Sequence, residues 1–361
     1  MKYQCSTCDR TAAAKSLFCP ELDCPAERAP FVFEPGERLG DIEIIRGIAS
    51  TPTATLYDAL HQKRRVFLKV AAPGAAHAER LMREARFLRT LVRENRPPLA
   101  LPRLRPPYVT TTLDHDQFGR MVLRGELQYF YVTEPAEGQP LRDLLLQQPQ
   151  WWINHVGWLS IELALALNDV HVRGLFHLGL TPASVIVRFD AEPDVPHIYL
   201  WDLGVASDRD GLASDWYPEL VPLAYQAPEL LRNGRRGPSA SVRSDVYGLG
   251  LVLYEMLVGQ PAVVHRLASK AAVHAAVVND DRVEMDRVED VAPVAQVTLR
   301  AAAHDPDERW NTAADVAEQL ITLVGPVPKK KRRPWLDLTL VLIAAIGVVA
   351  LLISVAFSLG L

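Results

Sequence analysis

Hydrophobic and polar positions divide the chain into three regimes. Residues 1–30 carry little apolar periodicity, and residues 37–324 form one patterned body. The first third of that body has short strand-like stretches, Asp41–Ile45, Ala54–Leu60 and Arg65–Val70, which predict a small sheet. Across Ala75–Arg93 the residues Leu81, Ala85, Leu88 and Leu91 recur on one stripe, which predicts a helix with one face against a core. Tyr129–Thr133 predicts a buried strand. From Pro140 onward the period is helical over Leu141–Leu146, Val156–Arg173, Val246–Val258, Val291–Ala303 and Ala313–Leu323. A small β-rich part followed by a larger α-rich part is an α+β arrangement. Residues 95–120, proline-rich and then polar, predict a loop insertion.

The third regime lies at the C-terminal side. Residues 325–335 are a basic linker that includes PVPKKKRRP, and residues 336–361 are almost wholly apolar. Leu338–Leu361 runs 24 residues without a charge. As a helix it spans roughly 36 Å, against ~30 Å of bilayer hydrocarbon. A core helix is rarely apolar on every face for so long, so a transmembrane helix is predicted. Lys329–Arg333 precede it and no cation follows. The positive-inside rule then places residues 1–334 in the cytoplasm, on a single-pass protein of the inner or plasma membrane with no extracellular domain. Trp335 falls at interface level, and the basic run suits anionic headgroups.

Composition narrows the function. Of 361 residues, 49% are hydrophobic and 23% charged, with net charge −4, which excludes a wholly disordered chain and gives no case for a nucleic-acid partner. The four cysteines all fall within the first 24 residues, as Cys5-x2-Cys8 and Cys19-x4-Cys24. Four thiolates suit a tetrahedral structural zinc, and metal would supply folding energy to a segment too short for a core. A cytoplasmic setting disfavours disulfides. Redox-active thiols, or iron in place of zinc, are the other readings. A site with four protein ligands has no open position, so its role is structural or partner-binding rather than catalytic.

A series of motifs then appears in order: VFLK with Lys69, REARFL with Glu84, HLGLTPASV from His177, WDLG with Asp202, QAPE ending at Glu229, SDVYGLG with Asp245, and HDPDERW with Arg309. Together they resemble the bacterial Ser/Thr protein kinases over about four-fifths of the chain. The resemblance implies a bilobal fold, with a small β-rich N-lobe and a larger α-helical C-lobe, flanked by the zinc-ribbon-like module and the span. It implies that Lys69, paired with Glu84, meets nucleotide phosphates and that Asp202 carries magnesium. Gly47 stands in the glycine-rich loop, Thr133 is the gatekeeper, and Glu134 to Ala136 form the hinge of a Mg-ATP pocket. Glu229 with Arg309, and Asp245, are structural in the family.

Other family positions are replaced. Where the resemblance expects the base aspartate, the γ-phosphate lysine and the second-metal asparagine, the chain has Gly179, Thr181 and Ser184; Pro222 replaces the threonine that pairs with that aspartate. Loss of a general base alone costs roughly 10²–10⁴ in rate. The glycine-rich loop keeps one glycine, reads as two residues too long, and contains Pro52. Phe67 replaces the small residue beneath adenine. Two readings follow. One is a pseudokinase that scaffolds or regulates an active kinase, its substrates or another signalling partner. The other is a slow or atypical enzyme, binding Mg-ATP through Lys69, Glu84 and Asp202 and transferring phosphoryl or nucleotidyl groups, with Asp208 or Asp210 as substitute acid.

Overall fold

The computed structural model describes residues 33–92, 98, 100–105, 118–123, 125–190, 194–211, 220–232, 240–263, 269–285 and 288–328, with the short strand pair β1 (Tyr3–Gln4) and β2 (Thr11–Ala12). The four cysteines and the apolar run 338–361 lie outside the described residues. Among the described residues no helix is long and apolar enough to cross a membrane.

The N-lobe is a six-stranded antiparallel sheet backed by one helix. Its strands are β3 (Arg38–Leu39), β4 (Ile42–Ser50), β5 (Ala54–His61), β6 (Arg64–Ala71), β7 (Gly119–Leu123) and β8 (Glu126–Thr133), in the order β3-β4-β5-β6-β8-β7. Helix α1 (Ala75–Val92) buries Leu81, Ala85, Leu88 and Leu91 against the sheet, as its stripe predicts. Residues 95–120 are not all loop: Leu104 bridges to Thr133, and Gly119 opens β7. Gly119 lies flat against Phe130, where a Cβ would come within 2.3 Å of the ring. A glycine at its start weakens the strand signal of this short edge strand, and the polar and proline-rich residues before it hide where it begins.

The C-lobe begins with β9 (Gln139–Pro140) and α2 (Leu141–Gln147), then α3 (Ile153–His171), and the hairpin β10 (Val185–Phe189) and β11 (Pro196–Leu200). Helices α4 (Pro228–Arg232), α5 (Val242–Val258), α6 (Lys270–Asn279), α7 (Val288–Ala301) and α8 (Ala313–Val324) follow. Every residue of α5 from Ser244 to Leu257 is buried, so this helix is apolar nearly all round, as an interior helix must be. Ser241 caps its start and Gly259, at φ 84°, ends it. Helix α3 packs on α5 and α8 and links the core to the β10–β11 hairpin.

One buried ion pair ties these helices together. Arg309, 1% exposed, makes two parallel bonds to Glu229, both at 2.9 Å. The guanidinium also donates to the carbonyls of Ala303, Arg243 and His304, and Ser244 donates to Glu229 at 2.7 Å. Removing one partner of such a pair leaves a charge buried without compensation. Arg309→Leu is therefore expected to cost about 3–5 kcal/mol, read as a lower midpoint in denaturant unfolding of the full chain.

Candidate functional site

Three ionisable side chains meet between the lobes. Lys69, near the end of β6, places Nζ 2.8 and 2.6 Å from the two oxygens of Glu84 on α1, and 2.6 Å from Oδ1 of Asp202. All three are buried. Glu84 also accepts from the Leu203 N–H at 2.9 Å, and Asp202 from the Gly204 N–H at 3.1 Å. Burial alone would push the Lys69 amine down. Asp202 and Glu84 more than offset it, and its pKa ends above the ordinary value. Burial likewise opposes ionisation of Asp202, but Lys69 outweighs it and the carboxyl is held low. For Glu84 burial dominates and the carboxyl is pushed up.

Beside this triad stands an apolar plug. Phe67 on β6 meets Tyr199 on β11 edge-on, ring centroids 6.0 Å apart. Trp201 packs with them, together with Ala49, Leu56 and Ile186, as a cluster separate from the main core. Phe67 is 2% and Trp201 1% exposed. The Trp201 indole donates to the Ala183 carbonyl at 2.8 Å, and its ring lies 5.1 Å from the Lys69 ammonium. Thr133 and Tyr199 share a hydroxyl hydrogen bond of 3.1 Å. Ala136 packs on the same cluster, whereas Glu134 is exposed and its N–H donates to the Arg103 carbonyl.

The β4–β5 hairpin closes the other side. Gly47 pairs with Tyr57 inside β4, and pairing continues to Ser50 and Thr55, so the turn is only Thr51–Pro52–Thr53. The two surplus residues expected in this loop are taken up by register shifts between Ile44 and Arg46 and between Gly47 and Ala49. Gly47 is thus a strand residue, three residues before the end of β4. The tip rests on the triad: Thr53 Oγ1 stands 3.5 Å from Asp202 Oδ1, and a Cβ at Gly204 would fall 2.3 Å from that hydroxyl.

Below the triad, Asp245 on α5 accepts from the N–H groups of His177 and Leu178 at 2.7 and 2.6 Å, and contacts His171 Nε2 at 2.8 Å. These bonds hold Leu178 at φ 57°, a conformation that a leucine adopts only when its surroundings impose it. Next to it, a Cβ at Gly179 would lie 2.2 Å from Val205 Cγ2. Ser184 donates to the Thr181 carbonyl at 2.7 Å and accepts from the Thr181 N–H at 3.1 Å, so its hydroxyl is committed to the turn at Pro182–Ser184. Thr181, Gly179, Asp202, Pro222, Tyr225 and the hairpin tip line an open cleft.

Residues 112–331 match the protein kinase domain family, more than half of the chain. This chain belongs to the protein kinase family. Among curated relatives, the serine/threonine-protein kinase PknB of Mycolicibacterium smegmatis is 31% identical over 202 residues, 55% of this chain and 30% of that protein. PknB of Mycobacterium leprae is 31% identical over 221 residues, 59% of this chain and 33% of that protein. The chain thus spans about a third of the length of the relatives it matches. The crystallised kinase domain of Mycobacterium tuberculosis PknI shares the fold, with a TM-score of 0.55 and 21% identity, covering 81% of this chain and all of that domain.

Within this kinase fold the match begins after the hairpin, Lys69 and Glu84, whose segment is recognisable by its fold. The structure brings together Lys69, Glu84, Thr133, Ala136 and Asp202. It sets Gly47 in a strand, and it does not turn Ser184 toward Asp202. Asp202 engages Lys69, Gly204 and Thr53 through Oδ1, and magnesium, which is usually held by one or two carboxylates with phosphate and water oxygens, would draw its protein ligand from this residue. Sequence reasoning flagged Phe67 but missed Tyr199, Trp201 and Val205. The signal for Trp201 was present in WDLG, where the largest side chain directly precedes the acid.

Two outcomes follow. Gly179→Asp is expected to destabilise by about 1–3 kcal/mol through overpacking on Val205; thermal melts of Gly179→Asp, Val205→Gly and the double variant check it, the double variant being more stable than the two single changes would sum to. His177 is held below the ordinary imidazole value of 6.5 by burial, against the pull of Asp245 and Asp202. Its folded state therefore binds protons less readily than its unfolded state, so its contribution is full above pH 6.5 and is lost as pH falls. The stability of the wild type should drop relative to His177→Gln between pH 7 and pH 5, as measured by denaturant midpoints.

Proposed function

We propose that the chain is a membrane-anchored pseudokinase, a kinase fold that works by protein contact on the cytoplasmic face of a membrane. The observation that carries this reading is the buried packing of Phe67, which holds the position the family resemblance puts beneath adenine, against Tyr199 and Trp201. Val205 supports it by standing where a catalytic aspartate would have to project from position 179. The partner is an active kinase, a substrate of one, or another signalling protein. The apolar run 338–361 with its basic flank supports the anchor. The pair β1–β2 brackets Cys5 and Cys8 in sequence, which suits a zinc-held hairpin at the N-terminal side.

A second reading retains support from the triad. Lys69, Glu84 and Asp202 keep the polar contacts of a nucleotide site at 2.6–2.8 Å, so slow phosphoryl or nucleotidyl transfer is the competing function. Thermal shift of the full chain in detergent with Mg-ATP separates the two. A ligand at 100 times its Kd stabilises by about 2.7 kcal/mol. The pseudokinase reading expects no shift at millimolar Mg-ATP. A shift abolished by Lys69→Ala, or a phosphate or adenylate adduct seen by mass analysis and lost in that variant, would overturn it.

A further inference from the structure

An aromatic group at the start of α3 is used by nothing above. Trp152 is 55% exposed. Its ring is nonetheless held, edge-on to His155 at 5.0 Å and to Trp158 at 5.7 Å, while the adjacent Trp151 is buried against Phe189 at 5.5 Å. The stretch around it, Leu144–Ile161, contains no Asp, Glu, Lys or Arg. Neither does Gln319–Pro328. The two uncharged stretches meet in the fold: a Cβ at Gly157 would lie 2.6 Å from Val324 on the last turn of α8. Leu146 and Leu323 are exposed on them. Asp194 borders the cluster and is held by His155, whose Nε2 is 2.9 Å from its carbonyl oxygen and 3.5 Å from Oδ2.

The course of the chain beyond this face selects the occupant. Val327 still packs on the core. Five cations follow from Lys329, then Trp335, and the uncharged run begins at Leu338. The ten residues between body and run reach at most ~35 Å when extended. A face poor in charge, with Asp194 at its border, that carries a fixed, exposed tryptophan and aliphatic side chains matches the headgroup level of a bilayer, where an indole keeps its apolar body and its polar edge both satisfied. We infer that the face centred on Trp152 docks on the lipid surface, so that the kinase-like body lies against the membrane and does not hang from its linker. This rests on the membrane anchor proposed above.

The test uses the full chain reconstituted in phosphatidylcholine vesicles, with and without bromine on the acyl chains near the headgroups. Bromination is expected to quench tryptophan emission; Trp152→Phe removes roughly half of the quenched amplitude, and Trp335→Phe the remainder. Leu146→Glu/Leu323→Glu, which leaves the aromatic cluster untouched, is expected to remove the same share as Trp152→Phe, so the result stands even if that variant folds poorly. If neither change alters the quenching while the chain stays in carbonate-washed vesicles, the docking inference is wrong and the face awaits a protein partner. If carbonate strips the chain from the vesicles, the anchor reading and this inference fall together.

Discussion

Lys69 sits between two carboxylates in a place with almost no water, and the rest of the interlobe structure depends on that arrangement. Removing three charges from solvent costs several kcal/mol per ion unless their contacts are close and their remaining oxygens are satisfied. Both conditions are met by the chain itself. Glu84 takes the Leu203 amide, Asp202 takes the Gly204 amide, and Lys69 bonds to both acids. In a nucleotide-dependent kinase, phosphate oxygens and metal would share this work. Here the cation and the acids complete one another, so the triad is stable in charge terms without a ligand.

The plug and the hairpin tip follow from the same constraint. A self-satisfied triad gains from exclusion of water, because each contact strengthens as the local dielectric falls. Trp201 and Phe67 provide that exclusion on one side, and Thr53 on the other. The plug draws Ala49, Leu56 and Phe67 from the N-lobe and Ile186, Tyr199 and Trp201 from the C-lobe. Closure of the lobes is therefore driven by apolar burial, the same force that builds the two cores.

What was legible in the sequence follows from how polar and apolar residues report their surroundings. Lys69, Glu84, Asp202, Asp245, Glu229 and Arg309 stand out because each falls in a short motif, and the order of those motifs along the chain resembles one family. Helix α1 was legible from its stripe. Val205, Tyr199 and Trp201 were not, because an apolar residue in an apolar neighbourhood does not declare which void it fills. Helix α6 was missed for a related reason: its small residues, Lys-Ala-Ala-Val-His-Ala-Ala-Val-Val-Asn, form no clear stripe. The bulges in β4 were invisible because they depend on how two strands share a register, which neither strand encodes alone.

The replaced catalytic positions show why an absent residue is only half a description. From sequence, Gly179 and Ser184 look like missing groups around an open site. In the fold neither place is empty: Val205 fills the space beside Gly179, and Ser184 has turned back to close its own turn. By contrast Asp245, Glu229 and Arg309 bond chiefly to backbone and to one another, so they hold the same loops whatever chemistry those loops carry. The groups that would act on a ligand and the groups that hold the architecture are thus different residues with different partners. A kinase fold can lose the first set, repack the volume they leave, and still present the surfaces that the second set maintains.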